Sequence, residues 1–168
     1  AVLGRSIVQV IGRLGAAGRR RFPTLDGLPI WKGPAGRITA IDMNTGEHLW
    51  VIPHGDAPEE QQELIRDHPL LQGVDGVLVN RGRTGLSPMT VTANMLLSAG
   101  QTADGTPHLF AIDKQTGERR GQVEIPGQSR YGMSSWTHNG HQYVIIQLQD
   151  GIAAYGLPAA MPAAGDAH

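Results

Sequence analysis

Ala40-Ile41-Asp42-Met43-Asn44-Thr45-Gly46-Glu47-His48-Leu49-Trp50 is the stretch whose reading decides the fold. Arg37-Ile38-Thr39-Ala40-Ile41 leads into it with alternating polar and apolar side chains, the period of a half-buried strand. Asn44-Thr45-Gly46 supplies a tight turn, with glycine where a positive φ is needed, and Glu47 to Ile52 reads as the returning strand. The pattern comes back 71 residues later as Ala111-Ile112-Asp113-Lys114-Gln115-Thr116-Gly117-Glu118, where Ala-x-Asp-x-x-Thr-Gly-Glu matches at every defined position. A repeated β-hairpin is the mark of a propeller, in which each small sheet buries its faces against its neighbours.

Working outward, the carboxyl-terminal third reads as a meander. Strands are expected over Tyr131–Thr137, Gln142–Gln149 and Ile152–Leu157, with turns at Asn139-Gly140 and Asp150-Gly151, the strongest two-residue hairpin signals available. The apolar run Tyr143 to Ile146 suits a strand covered on both faces. Pro88–Thr92 and Met95–Ala99 read as two more strands around Ala93-Asn94, and His108–Asp113 with Glu118–Ile125 as the second hairpin. Between the repeats, Pro58 to Pro69 carries proline at its first turn, Glu59 and Glu60 early, and Arg66 and His68 late. That order spells one short helix. Pro23 to Pro34 should be an extended loop. Residues 2–14 place Leu3, Ile7, Val10, Ile11 and Leu14 at helical spacing ahead of Arg19-Arg20-Arg21, so residues 1–22 read as a basic leader and 159–168 as a flexible tail.

With 14 Lys and Arg against 15 Asp and Glu, the net charge of −1 gives no reason to expect nucleic acid as a partner. The leader's apolar run is too short to cross a bilayer, and its charge order is the reverse of a secretory signal's. The absence of cysteine excludes thiol chemistry and cysteine-bound metals. A blade takes roughly 40 to 50 residues, and closed propellers have at least four. A chain of 168 residues therefore holds two to three blades, and is expected to be the carboxyl-terminal piece of a longer protein or to cover its open sheets by self-association.

The motif Ala-x-Asp-x-x-Thr-Gly-x-x-x-Trp at 40–50 resembles the tryptophan-docking motif of the quinoprotein dehydrogenases, eight-bladed propellers that use pyrroloquinoline quinone (PQQ). The resemblance continues through Gly85-Leu86-Ser87-Pro88-Met89-Thr90-Val91-Thr92, His141 to Ile146 and Ala153-Ala154-Tyr155-Gly156-Leu157-Pro158, in the order of the last two blades of the glucose dehydrogenase-like branch. It covers about residues 28 to 158. It implies an all-β fold of antiparallel four-stranded blades, about two of them over 23–158, with one short helix inserted. It also implies a periplasmic enzyme that oxidises alcohols or sugars by hydride transfer to PQQ beside a calcium ion. The alternative is a non-catalytic scaffold or binding protein built of the same repeats.

By the same resemblance, Trp50 stacks on the neighbouring blade, while its counterpart in the second repeat is Gly121, so that junction must be held differently. The calcium ligands and the catalytic Asp belong to earlier blades, so no catalytic or metal residue is assigned here. Gly85, Leu86 and Ser87 are the cofactor-facing candidates, at the start of an innermost strand near the central funnel. Asp42 and Asp113 read as turn caps. Trp31 reads as a plug between blades or a cavity wall. His138 and His141 face each other across Asn139-Gly140 without an evident third metal ligand.

Overall fold

Every strand pair in the computed structural model is antiparallel, and the model describes residues 6–8, 24–31, 33–85 and 87–156. In chain order the strands are β1 (Ser6–Val8), β2 (Thr24–Leu25), β3 (Leu28–Pro29), β4 (Arg37–Ile41) and β5 (His48–Pro53). Helix α1 (Glu59–Asp67) and a 3-10 turn (Pro69–Leu71) follow. The remainder is β6 (Met89–Val91), β7 (Met95–Gln101), β8 (Pro107–Asp113), β9 (Arg119–Glu124), β10 (Ser129–His138), β11 (His141–Leu148) and β12 (Gly151–Gly156).

They form a four-stranded sheet, β6-β7-β8-β9, flanked by two three-stranded sheets, β1-β4-β5 and β10-β11-β12, with β2-β3 as a separate ribbon. Among the described residues one four-stranded blade therefore stands between two three-stranded sheets, in keeping with a partial propeller of antiparallel blades. The central sheet reads apolar on both faces because both are covered. Leu96, Phe110 and Ile112 meet Ile38, Trp50 and Ile52 of the first sheet. Leu97, Ala99 and Leu109 meet Val144 and Ile146 of the last, together with Ile125. Phe110, Leu96, Val144 and Ile146 are all within 1% of fully buried.

The two hairpins superpose in their chemistry. Asp42 accepts the Asn44 amide at 2.8 Å, and Asp113 accepts those of Gln115 and Thr116 at 2.8 and 3.1 Å. Thr45 and Thr116 accept the amides of Glu47 and Glu118, each at 3.2 Å. These bonds to the amides of Gln115 and Thr116 hold the Asp113 carboxyl below its usual pKa. Trp50 then links the copies. Its Nε1 donates to the Lys114 carbonyl at 3.1 Å, and its ring lies so close to Gly117 (φ +77°) that an added Cβ would sit 2.8 Å from it. Glycine at 117 thus serves twice, for the turn and for the approach of the indole. Arg119 braces the same junction, pairing with Asp56 at 3.0 Å and lying 4.0 Å over the centre of the Phe110 ring.

Several expectations change. Residues 6–8 of the basic leader form a strand despite the helical spacing around them: β1 pairs with β4 in the register Ser6↔Ile41 to Val8↔Thr39, because the free edge of β4 offers hydrogen bonds that outweigh local periodicity. The rest of 1–22, and the tail 159–168, lie outside the described residues. Pro23 to Pro34 is not wholly extended, since Asp26-Gly27 turns β2 back on β3 with φ of 50° and 89°. His68 falls beyond α1 and acts on its surroundings instead. Its Nδ1 accepts the Leu70 amide at 3.3 Å, so the protonated Nε2 donates to the Asp26 carbonyl at 3.1 Å and ties ribbon to helix. On β11 only Val144 and Ile146 are fully buried, whereas Tyr143 and Ile145 are half-buried, so one face of that strand lacks a full cover among the described residues.

Candidate functional site

The chain after β5 leaves its sheet at His54 and crosses the ends of its neighbours. Three close backbone approaches make the crossing possible, each at a glycine. A Cβ on Gly36 would meet the Arg83 carbonyl at 1.9 Å, one on Gly82 the Gly36 carbonyl at 2.5 Å, and one on Gly55 the Gln101 carbonyl at 2.9 Å. The backbone bonds His54 N to Gly36 O (2.9 Å) and Arg83 N to His54 O (2.8 Å) lace these segments together. Asn80 completes the knot. Its Oδ1 accepts the amides of Ala57 and Gly82, each at 2.9 Å, and its Nδ2 donates to Asp56 at 2.8 Å.

Behind the knot lies a cleft of about 290 Å³, lined by His54, Arg83, Gly85, Ser87, Gln128 and Arg130 among others. His54 is its buried back wall. Its Nε2 lies 3.0 Å from the Ala99 carbonyl and 3.2 Å from Ser98 Oγ. A carbonyl only accepts, so Nε2 carries the ring proton. Burial pushes the His54 pKa down, against backbone hydrogen bonds that pull it up, and the ring is neutral at pH 7. Ser87 Oγ donates to the same Ala99 carbonyl, so that oxygen is shared by the cleft's histidine and its serine.

Arg83 gives the cleft a fixed cation. Its Nε donates to Asp56 O at 2.8 Å, and its Nη2 to Thr102 O and Ala103 O, each at 3.1 Å. Three carbonyls orient the guanidinium, and among the described residues no carboxylate pairs with it. A second cavity of about 360 Å³ adjoins, sharing Gln128 and Arg130 and reaching Asp150.

Of the residues anticipated from sequence, Gly85 and Ser87 line the cleft, and Leu86 lies outside the described residues. Gly85 has φ +152°, with open space where a Cβ would stand, so it presents bare backbone to the cleft. The Ser87 hydroxyl is turned to backbone, not into the cleft. Trp31 is 71% exposed and offers its carbonyl to Arg81; it is not among the residues that line the cleft. His138 and His141 are directly opposed across a turn with φ of 49° and 77°. Among the described residues no group of three or more His, Asp or Glu is placed to hold a metal. Sequence reasoning missed His54, Arg83 and Arg130. The available signal was the glycine punctuation, His54-Gly55, Gly82-Arg83-Thr84-Gly85 and Gly100-Gln101, which marks where backbones pass closely.

Comparison with known proteins follows the same lines. The family model described as PQQ glucose/ethanol/alcohol dehydrogenase, beta-propeller domain, matches residues 6–144, and so reaches into the leader in which no likeness had been seen. The chain is 29% identical over 139 residues to a glycerol dehydrogenase large subunit of Gluconobacter thailandicus, covering 76% of this chain and 17% of that protein. It is 26% identical over 168 residues to a probable quinate dehydrogenase (quinone) of Xanthomonas campestris pv. juglandis, covering 94% and 20%. It is 29% identical over 142 residues to the quinoprotein glucose dehydrogenase of Escherichia coli, covering 79% and 17%. The chain thus spans no more than a fifth of the length of these relatives.

Proposed function

The chain belongs to the PQQ-dependent glucose/ethanol/alcohol dehydrogenase β-propeller family, and from that membership we propose that it supplies the closing blades of a periplasmic dehydrogenase that oxidises an alcohol or sugar. The observation that carries this reading is the seating of Trp50 on Gly117 of the next repeat, which we take as tryptophan docking between successive blades. When bound, PQQ would supply the hydride acceptor for alcohol oxidation, and a calcium ion would supply Lewis acidity. Within this chain, Gly85, Leu86 and Ser87 would stand at the cofactor end of the funnel. The bare backbone at Gly85 fits that role, because a flat ring system can approach a glycine without meeting a side chain. His54 and Ser87, joined on the Ala99 carbonyl, hold that segment in place. The described residues show no metal cluster, and the calcium would be held by the preceding blades.

The remaining blades are the expected partners, with self-association as the alternative. Dye-linked turnover tests the reading: the full-length protein, loaded with PQQ and Ca²⁺, should reduce dye with an alcohol or sugar, and this chain alone should not. A loaded, folded full-length protein that is inert toward polyols, sugars and simple alcohols would favour the non-catalytic scaffold. Gly85→Val should weaken PQQ binding and also lower the melting temperature, because φ +152° strains a β-branched residue.

A further inference from the structure

We propose that His138 and His141, at the closed end of the β10–β11 hairpin, form a two-point chelate for a divalent transition ion of the Zn²⁺ or Cu²⁺ class. The site is separate from the cleft, which lies at the other end of β10 beside Gln128 and Arg130, and it does not depend on the dehydrogenase reading.

Position comes first. Only Asn139 and Gly140 join the two strands, with φ of 49° and 77°, and His138 pairs directly with His141. Side chains alternate between the faces along both strands. Val144, Ile146 and Met133 pack toward the central sheet. His141, Tyr143 and Ile145 therefore share the opposite face with their partners His138, Trp136 and Ser134. Both histidines are exposed. A directly opposed pair sets its Cβ atoms about 5 Å apart, a separation across which two imidazole nitrogens can each reach one ion at about 2 Å.

The surroundings favour a cation. From Tyr131 to Gly156 the sequence holds no Lys or Arg, and its one acid, Asp150, stands at the far turn of β11. One same-face pair inward, Trp136 and Tyr143 stack with ring centres 5.3 Å apart and planes 18° from parallel. A cross-strand aromatic pair of this kind fixes the register of the hairpin end. The histidines are thus already opposed before an ion arrives, and binding has less ordering to impose. Among the described residues no third His, Asp or Glu joins them, so water completes the coordination and the ion is exchangeable. Two imidazole nitrogens without a carboxylate select Zn²⁺ or Cu²⁺ over Ca²⁺ and Mg²⁺, which prefer oxygen.

Calorimetric titration of the chain with Zn²⁺ should show binding about tenfold or more tighter in the wild type than in His138→Gln or His141→Gln. The double variant should lose little beyond either single one, because the pair acts as a unit. Cu²⁺ should bind more tightly than Zn²⁺ and quench the emission of nearby Trp136. That quenching should vanish in both histidine variants, whereas Trp136→Phe should lose the quenching and keep the affinity. Ca²⁺ and Mg²⁺ should do neither. Equal melting temperatures without metal separate a lost site from a lost fold. In the unaltered chain, NMR signals of the two rings should shift together on adding Zn²⁺, with a single midpoint, which tests the pair without any substitution. Separate midpoints, an affinity untouched by either substitution, or a loss confined to one of them would overturn the proposal. So would one ion per two chains, which would make the site a bridge between copies, or no saturable binding at all.

Discussion

The two junctions of the central sheet are built from the same repeat and held by different physics. On one side a single indole spans the gap, its N–H satisfied by Lys114 O and its ring against Gly117, with Phe110 and Arg119 behind it. On the other side the position equivalent to Trp50 is Gly121, and small aliphatic side chains fill the space: Leu97, Leu109, Val144 and Ile146. The first junction concentrates its stabilisation in a few groups of fixed geometry. The second spreads it over area. A repeat can therefore lose its key residue and keep its stacking, provided that the facing strand supplies enough apolar surface.

The comparison breaks most visibly at the largest buried side chain. Phe110→Ala should cost about 3–5 kcal/mol and Ile146→Ala about 2–5 kcal/mol in denaturant unfolding. The losses should add, since the residues face different neighbours. Strong coupling between them would mean that the junctions are not independent. The glycines give a finer contrast. Gly117→Ala puts a Cβ 2.8 Å from the Trp50 ring at φ +77° and should cost about 1–3 kcal/mol. The loss should be smaller when Trp50 is already alanine. Gly121→Ala meets nothing within 4 Å and should leave stability unchanged or raise it by up to about 1 kcal/mol.

The smallest effect is set by pH. The folded His54 pKa lies below its ordinary 6.5. Above that value the ring is neutral in both states. As pH falls through it, the unfolded chain takes up a proton that the folded chain refuses, so stability declines. Melting temperatures at pH 7.5 and 5.5 should differ less in His54→Gln than in the wild type. Asp104 acts in a separate, more acidic window. Hydrogen bonds from Thr102 and Thr106 hold its pKa at about 2, so its contribution is present above its ordinary 3.8 and is lost between there and 2.

How much could be read beforehand follows from how local each signal is. The hairpins at 37–53 and 107–124, the helix at 59–67 and the Asn139-Gly140 turn rest on neighbours in sequence, and they appear within a few residues of where the pattern puts them. β1 was not legible, because three residues become strand only when the edge of β4 is beside them. The cleft was legible at one corner. Gly85 and Ser87 came from family likeness, but His54 and Arg83 are brought to it by backbone crossings at Gly36, Gly55 and Gly82, and a crossing joins residues too far apart for any periodicity to register. Nothing in the sequence separates Arg130 from Arg119. Only the fold shows that one has a carboxylate and the other an amide.

The outer strands also differ in a way that bears on handling the protein. β9 carries Arg119, Arg120 and Glu124, charges that repel a stray strand, whereas β12 reads Gly-Ile-Ala-Ala-Tyr-Gly with no charge and with Ile152 69% exposed. Ribbon-to-ribbon aggregation in concentrated stocks should therefore begin at β12, and a lysine in place of Ile152 is the change that would keep such stocks clear.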